Sequence, residues 1–238
     1  MPIQATTQYI IDAATDELGL PRQTLVAGLI DQIGTQSLAL LNSCGSELVK
    51  AHDWQFLEGQ ATINGDGTTT EFTLPADFGR IVDQTQWSSN TNLPMEGPLN
   101  AQSWGWVQFG IVSAGVFFRY RILGNKFAVW PTPGASEVLR FYYIKKNWVL
   151  DQDAVTYKDI TDDALDTPLF DRNLLIKCLK VKLWNQQGFD TTSLAKEYYD
   201  ELTIEKAQSG SAPVLSLSST RNRILLDPRR NIPDGDWN

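Results

Sequence analysis

Residues 71–83 read EFTLPADFGRIVD, and Asp77, Phe78 and Gly79 within them spell the tripeptide whose aspartate holds magnesium in protein kinases. That chemistry needs companions: a glycine-rich phosphate loop, a strand lysine upstream and an H-R-D type loop shortly before the tripeptide. None accompanies it, and the single histidine, His52, stands in AHDW. The same stretch reads well as shape. Phe72 and Leu74 alternate on a short strand, Pro75 stops it, and Asp77 opens a turn into the strand RIVDQTQW.

Other reactive constellations are equally thin. A glycosidase pair could be drawn from Glu71 with Asp77 or Asp162 with Asp163, but any solvated acidic loop offers as much. A Ser or Cys nucleophile would need His52 as its base, and neither a G-x-S-x-G elbow nor a Cys-His signature is present, so His52 fits better as the cap of a helix end. No G-x-x-x-x-G-K-[ST] phosphate loop exists. One His and two Cys do not make a zinc site, and the carboxylates lack calcium-loop spacing. The expectation is a protein that is not an enzyme, with no metal and no cofactor. Cys44 and Cys178 lie far apart, each inside an apolar helical pattern, as buried thiols do; a disulfide framework is not expected.

Eight tryptophans could stack on sugars or bases. Trp54, Trp87, Trp130 and Trp148 stand at strand ends or in alternating patterns, where core and subunit-contact roles prevail. Trp104 and Trp106, in SWGW, are the best candidates for an exposed contact.

The elements that must position these groups follow from period and punctuation. ATTQYIIDAATDELG is a helix capped by Thr6 or Thr7 and stopped at Gly19. Pro21 restarts a longer one to about Lys50, with Val26, Leu29, Ile30, Ile33, Ser37, Leu40, Leu41, Cys44 and Leu48 on one stripe. Gly28, Gly34 and Gly45 weaken that helix, so close contacts with neighbouring helices should compensate. From Trp54 the period becomes two, with strands at QFLEGQATI, TTEFTLP, GRIVDQTQW, VFFRYRIL, KFAVWP and EVLRFYYIKKNW. NGDG at 64–67 and LGNK at 123–126 carry hairpin-turn chemistry. GPLNAQSWGWVQFG forms a short helix or an aromatic loop. Helices return after Trp148: one capped by Asp166 or Thr167 with Pro168 in its first turn, carrying Leu174, Leu175, Cys178, Leu179, Leu183 and Trp184 and ending at Gly188, then DTTSLAKEYYDELTIEKAQSG.

The expected fold class is α+β. Residues 1–53 and 151–208 supply the helices of one bundle, residues 54–150 an antiparallel β module inserted into it, and residues 209–238 an extended C-terminal arm. A chain of 238 residues, 42% hydrophobic, can build one sizeable core or two small ones. No apolar run approaches the ~20 residues of a membrane span, and the N-terminus lacks a signal-peptide pattern, so synthesis in a cytoplasm and no membrane partner are expected. A net charge of −8 argues against a nucleic-acid-wrapping surface and suits a body past which DNA moves without sticking.

The arm differs from the body. It holds Arg221, Arg223, Arg229 and Arg230 against three aspartates and lacks helical periodicity. Its apolar patches, Val214, Leu215 and Leu217 in VLSLS and Ile224, Leu225 and Leu226 in RILLD, with Trp237 near the end, suit docking onto a partner's sheet edge while the arginines meet carboxylates. Such a segment orders on its partner.

Several stretches in succession, HDWQFLEGQATI, TTEFTLPADFGRIVD, GNKFAVWPTP, a strand ending YYIKKNWV, and PLFDRNLLIKCLKVKLWNQQG, resemble the tail tubular protein A and head-to-tail adaptor family of short-tailed bacteriophages. The resemblance covers about residues 50–190. It implies a structural virion protein, a ring usually of twelve subunits between the portal protein and the tail nozzle protein, with DNA passing through its lumen. It further implies that the helices and arm face the portal and the β module the tail; on the chemistry read above, the portal contact then falls to Val214, Leu215, Leu217, Arg221, Arg223, Ile224, Leu225, Leu226, Arg229, Arg230 and Trp237, and the tail contact to Trp104 and Trp106. A carbohydrate-binding or depolymerising tail protein that uses the Trp-rich β module is the alternative reading.

Overall fold

A computed structural model describes residues 3–22, 32–109 and 117–210. In chain order these form α1 (Thr7–Glu17), α2 (Gln32–Ala51), a 3₁₀ turn (Gln55–Leu57), β1 (Glu58–Asn64), β2 (Glu71–Thr73), β3 (Phe78–Ile81), β4 (Trp87–Ser88), β5 (Leu93–Pro94) and α3 (Ala101–Phe109). There follow β6 (Arg119–Leu123), β7 (Lys126–Trp130), β8 (Val138–Lys145), β9 (Val149–Leu150), β10 (Tyr157–Lys158), β11 (Thr167–Pro168), α4 (Arg172–Gln186) and α5 (Thr192–Ser209). The α+β class holds.

Helices from the two ends of the chain share one core. The Thr6 hydroxyl accepts the Tyr9 N–H at 3.4 Å to cap α1, and Gly19, at φ +67°, ends it. Helix α4 lies between α1, α2 and α5, and Leu174, Leu175, Cys178, Leu179 and Leu183 meet Ile10, Ile11, Ala14, Leu41, Cys44 and Leu48 around it. Val26, Leu29, Ile30 and Gly28 lie outside the described residues. Ile33, expected on the buried stripe, is exposed: Gln36 already bonds Gln186, the last residue of α4, so Ile33 sits about a turn beyond the helix that would cover it.

The start of α4 also departs from expectation. Thr167 and Pro168 pair with β9 as β11, so they are extended, and the cap is Asp171, whose Oδ1 accepts the Asn173 N–H at 2.8 Å. Asp166 instead anchors the preceding loop: its buried carboxylate accepts the N–H groups of Asp162 and Asp163 and the Lys158 ammonium.

The strands build two main sheets. β8 is central in one, antiparallel to β1 on one side and to β3 and β4 on the other; β2, β7 and β6 form the second. Between them Tyr120, Phe127 and Phe141 stack with ring centroids 5.0 and 4.8 Å apart. A small third sheet runs β10-β9-β11. LGNK makes the β6–β7 hairpin, with Gly124 at φ +57° in its first central position. NGDG does not make a hairpin. β1 pairs with β8 and β2 with β7, so this turn carries the chain from one sheet to the other, its Asp66 carboxylate accepting the Thr68 and Thr69 N–H groups. GRIVDQTQW is likewise split, because Gln84 adopts φ +62° between β3 and β4.

Candidate functional site

The stretch EFTLPADFGRIVD forms the joint between the helices and the sheets. Phe78 N–H bonds the Pro75 carbonyl to close the turn, and the Asp77 carboxylate accepts the Tyr143 hydroxyl at 2.9 Å while its carbonyl accepts the Lys146 N–H. Burial first, then this bond, pushes the Tyr143 pKa up to about 12. At Gly79 a Cβ would stand 2.8 Å from the Ile144 carbonyl, so the glycine is there for close strand approach. Asp77, Phe78 and Gly79 thus shape a turn.

Arg80 completes the joint. Its guanidinium donates to the carbonyls of Val49 at 2.8 Å and His52 at 2.6 Å and pairs with Asp53 at 2.7 Å. A strand residue therefore satisfies the open carbonyl end of α2. The cap assigned to His52 belongs to Arg80; His52 sets its ring edge against Trp54, 5.2 Å between centroids.

Aromatic rings fill the joint behind that latch. Trp54 donates from its indole to the Leu48 carbonyl at 2.6 Å and meets Phe170 edge to face, and Trp148 donates to the Asp159 carbonyl at 2.6 Å. Gly45 admits Trp148: a Cβ there would lie 2.2 Å from the indole. The glycine in α2 thus accommodates the chain leaving β8 rather than a neighbouring helix. Trp54 and Trp148 are core, so neither offers a stacking face to a sugar, and Trp87 and Trp130 are half-buried. Cys44 and Cys178, distant in sequence, are both buried on the facing helices α2 and α4, and burial pushes the Cys44 thiol well up.

Carboxylates singled out by sequence have structural partners. Glu71 pairs with Lys126 at 2.7 Å, Asp162 bonds Lys158, and Asp163 accepts the Leu165 N–H. One group among the described residues, Asp171, Glu201 and Glu205, holds its oxygens within 4.8 Å of one another. Asp171 caps α4 and accepts the Ile3 N–H, and Glu201 pairs with Lys177 at 2.6 Å, so two of the three already have donors.

Exposed apolar side chains cluster on α3. Asn100 caps α3, its Oδ1 accepting the Ser103 N–H at 2.8 Å. This fixes the helix so that Trp104 and Val107 face inward while Trp106 and Phe109, 67% and 88% exposed, face out. Of the two tryptophans expected at an exposed contact, only Trp106 presents its ring; Trp104, 5% exposed, anchors the helix. The spacing 104–107 inside and 106–109 outside is the helical period that could have separated them. Leu99, Gln102, Trp106, Phe109 and Arg119 line an open groove of about 850 Å³ here. A second cleft, about 260 Å³, opens at the joint between Phe56, Leu57, Lys145, Tyr157 and Leu169. The arm residues from Val214 to Trp237 lie outside the described residues.

The carboxylates and tryptophans singled out above mostly hold the fold, and exposed aromatic side chains gather on α3, a surface suited to contact with another protein. The family model of the SU10 adaptor protein matches residues 5–217, and the chain belongs to that phage head-to-tail adaptor family. A search among curated proteins finds no match. Membership makes the chain a structural adaptor, non-enzymatic in kind, located at the neck or tail of a virion and in contact with other virion components. No helix among the described residues is long and apolar enough to cross a membrane.

Proposed function

We propose that this adaptor forms a ring, of twelve subunits, that joins the portal protein to the tail nozzle protein and leaves an axial passage for DNA. The family match over residues 5–217 is the observation that carries the reading. A repeated heterologous interface closes such rings. The net charge of −8 suits a conduit that must not grip its cargo. In this arrangement the helices and the arm from 209 to 238 face the portal, the arginines of the arm meeting its carboxylates, and the sheets face the nozzle. Trp106 supports that second contact as an exposed aromatic anchor, with Trp104 behind it holding α3 in place. Assembly on the neck follows synthesis in the host cytoplasm.

Mass photometry of the chain with a portal ring tests the proposal. Stoichiometric growth of the portal complex is expected, lost when the chain ends at Gln208. Absence of association with the full chain overturns the portal assignment.

A further inference from the structure

The arm leaves the body at a specific place. The last residue of α5, Ser209, accepts the Gln55 N–H on its hydroxyl at 3.3 Å, and Gly210 follows in an extended conformation, φ −86° and ψ 136°. The neighbour of Gln55 is Phe56, which lines the joint cleft with Leu57, Tyr157 and Leu169. The exit of the arm is thus held against the residue next in sequence to a liner of that cleft.

The cleft and the first residues of the arm have matching chemistry. Phe56 and Tyr157 leave ring surface exposed, Leu57 and Leu169 form apolar wall, and the Asn147 side chain holds the Tyr157 carbonyl at 2.8 Å. Its single charged liner is Lys145, which disfavours arginine. Residues 211–217, SAPVLSL, carry no charge, whereas the first arginine of the arm is Arg221. A volume of about 260 Å³ is several times the ~30 Å³ share of one water and admits one or two aliphatic side chains. At ~3.3 Å per extended residue, the four or five residues from Gly210 to Val214 and Leu215 can span up to about 13–17 Å, a reach of several side chains. The family match ends at Leu217, which sets 211–217 with the shared body and leaves 218–238 outside it.

We infer that residues 211–217 dock in cis into the cleft at the joint, with aliphatic side chains of Val214, Leu215 or Leu217 against Phe56, Leu57, Tyr157 and Leu169. The arm is then bipartite. Residues 211–217 belong to the body, and only 218–238, which carry every arginine of the arm, extend to a partner. The inference requires neither a ring nor a portal, so its failure and that of the adaptor arrangement are separable.

The test uses the full chain at micromolar concentration with Tyr157→Cys and Leu215→Cys, with both native cysteines, buried and adjacent to each other, replaced by Ala in this chain and in the control. After mild oxidation, non-reducing electrophoresis and intact mass should show an intramolecular disulfide at roughly 10-fold higher yield than in a control pairing Tyr157→Cys with Asn231→Cys. A disulfide-linked dimer, meaning that the segment enters a second copy, or equal yields from the two pairs overturns the inference. Hydrogen exchange of the unsubstituted chain supplies a second reading: amides 214–217 should exchange roughly 10-fold or more slowly than those of 220–232, and equal exchange overturns it.

Discussion

The joint and the surface of α3 are both rich in aromatic side chains, and the protein uses them in opposite ways. At the joint, Trp54, Trp148 and Phe170 are buried and both indole N–H groups reach backbone carbonyls. On α3, Trp106 and Phe109 stand in solvent beside an open groove, while Trp104 and Val107 behind them fix the helix. The difference teaches that an aromatic residue here serves cohesion where a backbone acceptor and a glycine make room for it. Where one helical face turns outward, the rings are left exposed and free for the contact proposed above. The first group should govern stability and the second assembly.

That division can be broken most severely at the joint. Trp148→Ala should cost about 4 kcal/mol, and Gly45→Ala about 2–3 kcal/mol because the added methyl overlaps the indole; chemical denaturation would read both. A Gly45→Ala chain as stable as the parent would mean that Trp148 can swing aside and that the joint is not close-packed. Arg80→Ala should follow at about 2 kcal/mol, since it leaves the carbonyls of Val49 and His52 and the Asp53 carboxylate without their shared donor. Arg80→Lys should recover little of this, because one ammonium does not reproduce the fork.

The α3 surface sharpens the contrast in the other direction. Replacing Trp106 and Phe109 by Ser should change folding stability by no more than about 0.5 kcal/mol, yet weaken association with the nozzle or between copies roughly 30-fold. A lowered denaturation midpoint with unchanged association would reverse the assignment. The smallest effect is expected at Glu205. Burial first, then Asp171 and Glu201, raise its pKa above the ordinary 4.5. A group so raised contributes stability below pH 4.5 and loses it as pH rises through the folded value, so ionised Glu205 is a slight cost at neutral pH. Glu205→Gln should therefore stabilise within about 0.5 kcal/mol at pH 7, with the difference vanishing below pH 4.5 in a series of thermal melts.

Much of the architecture was legible in the residues. Thr6, Gly19 and Gly188 mark helix ends where local chemistry suffices, and LGNK closes its hairpin because neighbouring strands answer to a two-residue turn. NGDG carries the same turn chemistry, yet its flanking strands find partners in different sheets, a pairing decided about 55 to 85 residues away along the chain. The cap at Asp171 was hidden for a similar reason: Thr167 and Pro168 read as a helix start until β9 claims them. SWGW lies on α3, where one of its two tryptophans is exposed. Only the packing of α3 distinguishes the tryptophan that anchors from the one that projects.

The sequence by itself determined the α+β class, the order of helices, strands and helices, and the apolar periodicities, because these depend on local backbone preference and side-chain period. It also carried the succession of motifs that marks the adaptor family. The tertiary structure alone decided that Arg80 caps a helix about 30 residues earlier, that Gly45 makes room for Trp148, and that α5 ends against Gln55. Each of these depends on two segments meeting in space, and neither segment encodes the position of the other.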